Sequence, residues 1–151
     1  LHVVVPPDAA ARRAALDGLA AVLVEHPGRD AGLASSIRAG IAALPPEADA
    51  VVIALADQPL VSPDVVRRLC DRWRDGGVTA VAPRYRDGRG HPVLFGRSAF
   101  GALSALSGDS GARALLDSMR AELALVPVDA SAPLDVDTPD ALRRLAAVWR
   151  G

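Results

Sequence analysis

Apolar runs alternate with helix-period patterns along the whole chain, the arrangement that βαβ units on a parallel sheet produce. Residues 1–5 read as a strand, Pro6-Pro7 as a turn, and Asp8 as the N-cap of a helix to about Ala20. Residues 22–24 form a short strand, and Gly32-Leu33-Ala34-Ser35-Ser36 leads into a helix through Leu44 that Pro45-Pro46 stops. The continuous apolar run at 51–56 has the pattern of a central parallel strand buried on both faces. Ser62-Pro63-Asp64 opens the next helix with a capping hydroxyl, a proline at the first helical position and an acid at the positive dipole end. Val65, Val66, Leu69, Cys70 and Trp73 fall on one face of that helix, and Gly76-Gly77 ends it. Strands follow at 78–82 and, after a polar loop, at 92–95. Helices are predicted at about 98–106 and 110–120, a strand at 123–128, and a last helix from Thr138-Pro139-Asp140 to Trp149. Nothing in the pattern marks a linker, a repeat or an internal boundary, so 151 residues read as one domain.

Composition narrows the class without naming a function. Half the chain is hydrophobic and 23% is charged, which excludes disorder. A net charge of −1 advertises neither nucleic acid nor an anionic membrane as a partner. All 17 basic residues are arginine. The single cysteine, Cys70, excludes a disulfide framework and a cysteine zinc site, and suits the reducing cytoplasm. The chain opens on an apolar strand without Met, so it is expected to begin inside a longer protein.

In an open α/β sheet, ligands bind beyond the carboxyl ends of the strands, so polar residues that follow apolar runs are the first candidates. Asp57, in Leu55-Ala56-Asp57-Gln58-Pro59, is one; the competing reading is an acid that caps the turn before Pro59. Asp135-Val136-Asp137 is another, because carboxylates at i and i+2 of an extended segment point the same way and can face one cation. A hard cation such as Mg²⁺ takes a few carboxylate oxygens together with phosphate and water. Against this, Asp137 and Asp140 can simply serve the start of the last helix.

Arg84, Arg86 and Arg89 crowd the loop before Gly90-His91-Pro92, where guanidinium groups can clamp phosphate or a polyanionic substrate; solvated hairpin residues are the alternative. His91 has no partner histidine at ligand spacing and is read as a substrate contact. Ser35, Ser36 and Arg38 at one helix start suit a ribose or phosphate contact, although capping accounts for one serine. Gly108-Asp109-Ser110-Gly111-Ala112-Arg113 precedes a helix whose free N–H groups can bind an anion, with Asp109 as cap and Arg113 facing it or the cleft. No Ser/His/Asp or Cys/His set supports a covalent hydrolase.

Taken in order, Gly32–Gly40 (GLASSIRAG), Leu55–Val61 (LADQPLV), Gly90–Phe95 (GHPVLF), Gly108–Arg113 (GDSGAR) and Asp135–Pro139 (DVDTP) resemble the MobA/MocA-like nucleotidyltransferases, closest to the molybdenum cofactor cytidylyltransferase branch. The resemblance covers nearly the whole chain. It implies an α/β, Rossmann-like three-layer nucleotidyltransferase fold with a mostly parallel sheet. It also implies an enzyme that moves CMP or GMP from CTP or GTP to the phosphate of molybdopterin and releases pyrophosphate, in molybdenum cofactor maturation. On that resemblance Asp57 and Asp137 are the catalytic metal carboxylates for Mg²⁺, with Asp135 as a less secure third. Ser35, Ser36 and Arg38 then bind the nucleotide, while Arg89, Gly90, His91, Pro92 and Arg113 meet the acceptor. A molybdoenzyme or its chaperone follows as a partner, with no nucleic acid and no membrane.

One departure stands out. The family opens on a glycine-rich Leu-Ala-Ala-Gly loop ending in Arg and Lys that wraps the triphosphate, and residues 1–151 contain neither that loop nor any lysine. A strand and loop of about 30 residues are therefore expected upstream, and the 151 residues alone are expected to be poorly soluble or inactive. Three other functions compete. A nucleotide-sugar glycosyltransferase would use Asp135-Val136-Asp137 as an Asp-x-Asp motif, but such motifs usually follow a middle strand. An oxidoreductase similar to nicotine blue oxidoreductase is another, without the dinucleotide Gly-x-Gly-x-x-Gly fingerprint. The third is a non-catalytic paralogue that binds a nucleotide or a molybdoenzyme.

Overall fold

The computed structural model describes residues 1–7, 10–26, 32–108 and 111–148. The backbone gathers into two compact units, Leu1–Asp49 with Arg97–Arg120 and Ala50–Gly96 with Ala121–Gly151.

In the first unit, β1 (His2–Val5) pairs in parallel with β2 (Val22–Glu25), joined through α1 (Ala10–Ala15). The α1 helix ends at Ala15, earlier than its apolar pattern suggests. The chain turns through Asp17 and Gly18, whose φ of 78° is a conformation glycine adopts without a Cβ penalty. The helix α2 (Gly32–Ala42) packs against β1, against α4 (Phe100–Ser104) and against α5 (Gly111–Ser118). Small residues allow this close approach: Ala34, Ala99 and Ala112 are buried together with Val5, Ile37, Leu103 and Leu116. The caps expected at Asp8 and Asp109 lie outside the described residues, as do Ser110 and Trp149.

The second unit is a five-stranded mixed sheet. It contains β3 (Ala50–Ile53), β4 (Ala80–Tyr85), β5 (Gly88–Arg89), β6 (Val93–Gly96) and β7 (Leu123–Pro127). β4 pairs in parallel with β7 and antiparallel with β5 and β6; β6 in turn pairs antiparallel with β3. The α/β class holds, with parallel and antiparallel neighbours in the same sheet. The run at 51–56 departs from its expectation. Only its first half is strand, its one partner among the described residues is the antiparallel β6, and its side chains are half-buried. An apolar run records burial, but not the direction of its neighbour.

The helix α3 (Pro63–Arg74) covers the sheet and closes the core of this unit. Val65 and Leu69 meet Val81, Leu94 and Val126, with Cys70 and Trp73 packed at the rim. Its N-terminus follows the sequence: the Asp64 N–H donates to Ser62 Oγ at 3.2 Å and Pro63 takes the first turn. Gly96 on β6 lies under the Trp73 indole, where a Cβ would sit 2.8 Å from Nε1. The last helix, α6 (Pro139–Val148), belongs to the same unit.

Candidate functional site

The site is built on two segments that lack regular structure. The first leaves β3 at Ile53 and turns twice, with Gln58 N–H donating to Leu55 O at 3.2 Å and Val61 N–H to Gln58 O at 3.3 Å. Asp57 therefore sits in a turn four residues beyond the strand, exposed. The second segment, 131–137, leads into α6. The two are joined: Val136 N–H donates to Asp57 O at 2.7 Å, and Gln58 Nε2 donates to Asp135 Oδ1 at 2.8 Å.

These bonds divide the four acidic residues by what they touch. The start of α6 is capped by Thr138, whose Oγ1 accepts from Ala141 N–H at 3.1 Å, and Asp140 pairs with Arg143. Helix initiation thus needs neither Asp135 nor Asp137. Among the described residues, no hydrogen bond or ion pair engages the side chain of Asp57 or Asp137. Both are exposed, so neither carries the desolvation cost of a buried unpaired charge. Sequence reasoning passed over Gln58. Its signal was its place directly after Asp57, and its Oε1 is buried with no hydrogen-bond partner among the described residues.

Among the described residues no three His, Cys, Asp or Glu side chains form a cage for a metal ion. Two hard carboxylates on adjoining segments still suit Mg²⁺, which keeps several waters and takes its remaining ligands from substrate phosphate.

The Gly90-His91-Pro92 segment is held on the same unit by Tyr85. The phenol donates to His91 O at 2.9 Å, and Gly90 N–H donates to Pro83 O at 3.2 Å. Gly90 packs closely on that ring: a Cβ there would stand 3.0 Å from two Tyr85 ring atoms, so the ring would have to give way by a few tenths of an ångström. The Tyr85 side chain is buried, and that burial, followed by the charge of Asp87, raises its pKa above 10.0. The arginine loop is a hairpin with a two-residue turn, in which Arg84 stands opposite Arg89. Arg86 does not remain available, because Asp129 Oδ1 accepts from its Nε at 2.9 Å and from its Nη2 at 2.7 Å. Arg84 and Arg89 form a cross-strand pair of like charge. An open concavity of about 470 Å³ beside the hairpin is lined by Arg84, Tyr85, Arg86 and Asp129 among others.

The remaining candidates belong to the first unit. Ser35 is 2% exposed, and its hydroxyl donates to Gly32 O at 2.6 Å, so it braces the first turn of α2. Ser36 is half-buried. Arg38 donates through Nη1 to the Leu106 carbonyl, tying α2 to the chain after α4. Arg113, on α5, is exposed.

The profile of the MobA-like NTP transferase domain matches residues 1–125. Among solved structures, the chain is similar to Rv0371c from Mycobacterium tuberculosis H37Rv. The two are 40% identical over 99% of this chain and 76% of that one, with a TM-score of 0.81. A second structure of that protein, at TM-score 0.79 and covering 96% of this chain and 76% of that one, is a complex with manganese. Two more distant proteins share the fold. One is molybdopterin-guanine dinucleotide biosynthesis protein A from Archaeoglobus fulgidus, 18% identical at TM-score 0.65 over 97% of this chain and 77% of that one. The other is a CMP:2-keto-3-deoxy-manno-octonic acid synthetase complexed with CTP, 14% identical at TM-score 0.74 over 98% and 80%. No curated protein matches the chain. With the profile covering most of its length and a 40% identical relative of the same fold, the chain belongs to the MobA-like NTP transferase family of nucleotidyltransferases.

Proposed function

We propose that the protein transfers CMP or GMP from the corresponding triphosphate to the phosphate of molybdopterin, releasing pyrophosphate, with Asp57 and Asp137 as the carboxylates that hold Mg²⁺. The observation that carries this reading is the Val136–Asp57 backbone bond, which sets two uncommitted aspartates on adjoining segments. Manganese in the Rv0371c complex, CTP in the octonic acid synthetase complex and the molybdopterin-guanine function of the Archaeoglobus protein support the cation, the donor and the acceptor in turn.

In this reaction an acceptor phosphate oxygen forms a bond to the α-phosphorus of the nucleotide while the bond to the β-phosphate oxygen breaks. The nucleophile is already ionised at neutral pH, so no general base is required; alignment and charge neutralisation do most of the work. When bound, a divalent cation lowers the repulsion between the two anionic reactants. Asp57 and Asp137 hold that charge in place. Ser36 and Arg38 contact the nucleotide above the turn that Ser35 braces. Arg89, with Gly90, His91 and Pro92 on the segment anchored by Tyr85, receives the acceptor, and Arg113 adds positive charge for it. A molybdoenzyme or its chaperone would then take the dinucleotide cofactor from the protein.

The test is pyrophosphate release by the full-length gene product with Mg²⁺, molybdopterin and either CTP or GTP. The D57N variant should fold normally and lose on the order of several kcal/mol of transition-state stabilisation. Near-normal turnover by D57N at working Mg²⁺ overturns the assignment.

A further inference from the structure

We infer that Gln58 is a positioning residue for this site and that Asp135 is the latch it grips, not a ligand of the cation; the inference rests on the nucleotidyl-transfer reading above. The segment 131–137 has neither helix nor strand to fix it. Its backbone bond from Val136 to Asp57 O sets how far along the turn the segment lies. One bond leaves rotation about itself. The second bond, from the Gln58 side chain to Asp135 one residue earlier, removes that rotation and so fixes which way Asp137 presents its carboxylate.

The chemistry of the amide supports the assignment. A carboxylate only accepts hydrogen bonds, so Gln58 must turn its Nε2 toward Asp135. That orientation leaves Gln58 Oε1 buried and unpartnered among the described residues, a state that is costly without a compensating contact. The charge-assisted bond from Nε2 to Asp135, at the other end of the amide, offsets that cost. The bond also explains how two aspartates, two residues apart, take different roles: Asp135 accepts from Gln58, whereas Asp137 has no partner among the described residues. Asp135 then needs only an acceptor oxygen at its position, and Asp137 needs its charge.

Mn²⁺ alone, titrated into the full-length gene product and followed by electron paramagnetic resonance or calorimetry, separates these roles. D57N and D137N should each weaken Mn²⁺ binding beyond measurement. D135N keeps the acceptor oxygen and should stay within about threefold of the unmodified protein. Q58A should weaken binding about tenfold, the size expected when a supporting partner of a metal ligand is removed. Q58E sets two carboxylates against each other and should do the same, and adding D135N should restore affinity because the amide then sits on the opposite partner. The thermal midpoint, measured for every variant, registers damage to the fold separately.

If D135N is as damaging as D137N, Asp135 is a ligand, and the latch fails while the site reading stands. If Q58A or Q58E lowers the thermal midpoint but leaves Mn²⁺ affinity unchanged, Gln58 is merely structural and the inference fails. If D57N and D137N bind Mn²⁺ as tightly as the unmodified protein, the site reading fails, and the inference with it.

Discussion

The two units bury their apolar surface in different ways. The second closes branched side chains between α3 and the sheet, with Leu69 and Val81 at 0% exposure. Among the described residues the first has a two-stranded sheet, which has little stability by itself. It relies on α2 packing through alanines against α4 and α5, and it leaves Val22 54% exposed on β2. Each buried CH₂ stabilises by about 0.8 kcal/mol, so the buried Ala34, Ala99 and Ala112 gain less per residue than Leu69, Val81 and Leu94. The loops that carry Asp57, His91 and Asp137 all belong to the second unit. The proposed site is thereby mounted on the unit that carries the α3 core, in keeping with the need for firm support at a site.

Several substitutions sharpen or break that contrast. Leu94→Ala empties a place in the sealed core of the second unit and should cost about 2–5 kcal/mol in chemical denaturation. A cost below about 1 kcal/mol would mean that this core is loosely packed after all. Gly96→Ala forces the Trp73 indole to move and should cost about 1–3 kcal/mol, with a change in its fluorescence. An unchanged spectrum and stability would show that the indole is not pressed against β6.

Alkali provides a third test. Burial raises the Tyr85 pKa in the folded state, so this group contributes stability that is fully present below pH 10.0. That contribution is lost as pH rises through the higher folded value, because the unfolded chain ionises first. Ionisation also removes the donor to His91 O, and Tyr85→Phe should abolish this part of the alkaline loss. Identical alkaline profiles for the two proteins would exclude the mechanism. The smallest effect is expected in the first unit, where Val22→Thr on the exposed face of β2 should change stability by no more than about 0.5 kcal/mol. A loss of 2 kcal/mol or more, measured in ~physiological buffer, would show that this face is covered in solution.

How much could be read in advance differs from element to element. α3 was legible throughout, because its cap, its proline, its buried face and its glycine stop are all local signals. The end of α1 was missed although Asp17-Gly18 marks it: alanine-rich sequence continues the helical pattern past a break that depends on backbone geometry. The partner of β3 was not legible, since strand direction is set by pairing with a segment some 40 residues away and leaves no trace in an apolar run. In the hairpin the two-residue turn is Arg86-Asp87, and Gly88, at φ 128°, opens β5. The partner of Arg86 is Asp129, distant in sequence, and no local pattern could supply it. The candidate site divides the same way. Asp57 and Asp137 stood out by residue type and position, whereas Gln58 acquires its meaning only from Asp135, on a separate segment.

The placement of the ring side chains has a consequence for anyone who follows this protein by light. Among the described residues, Trp73 on α3 and Tyr85 on β4 both belong to the second unit. Emission from Trp73 and the absorbance of Tyr85 therefore watch the second unit and say nothing of the first. A melting curve recorded that way would report a single clean transition even if the first unit had already opened. A probe that counts all peptide groups alike, such as far-ultraviolet dichroism, would be needed beside it, and any gap between the two midpoints would measure how independently the halves melt.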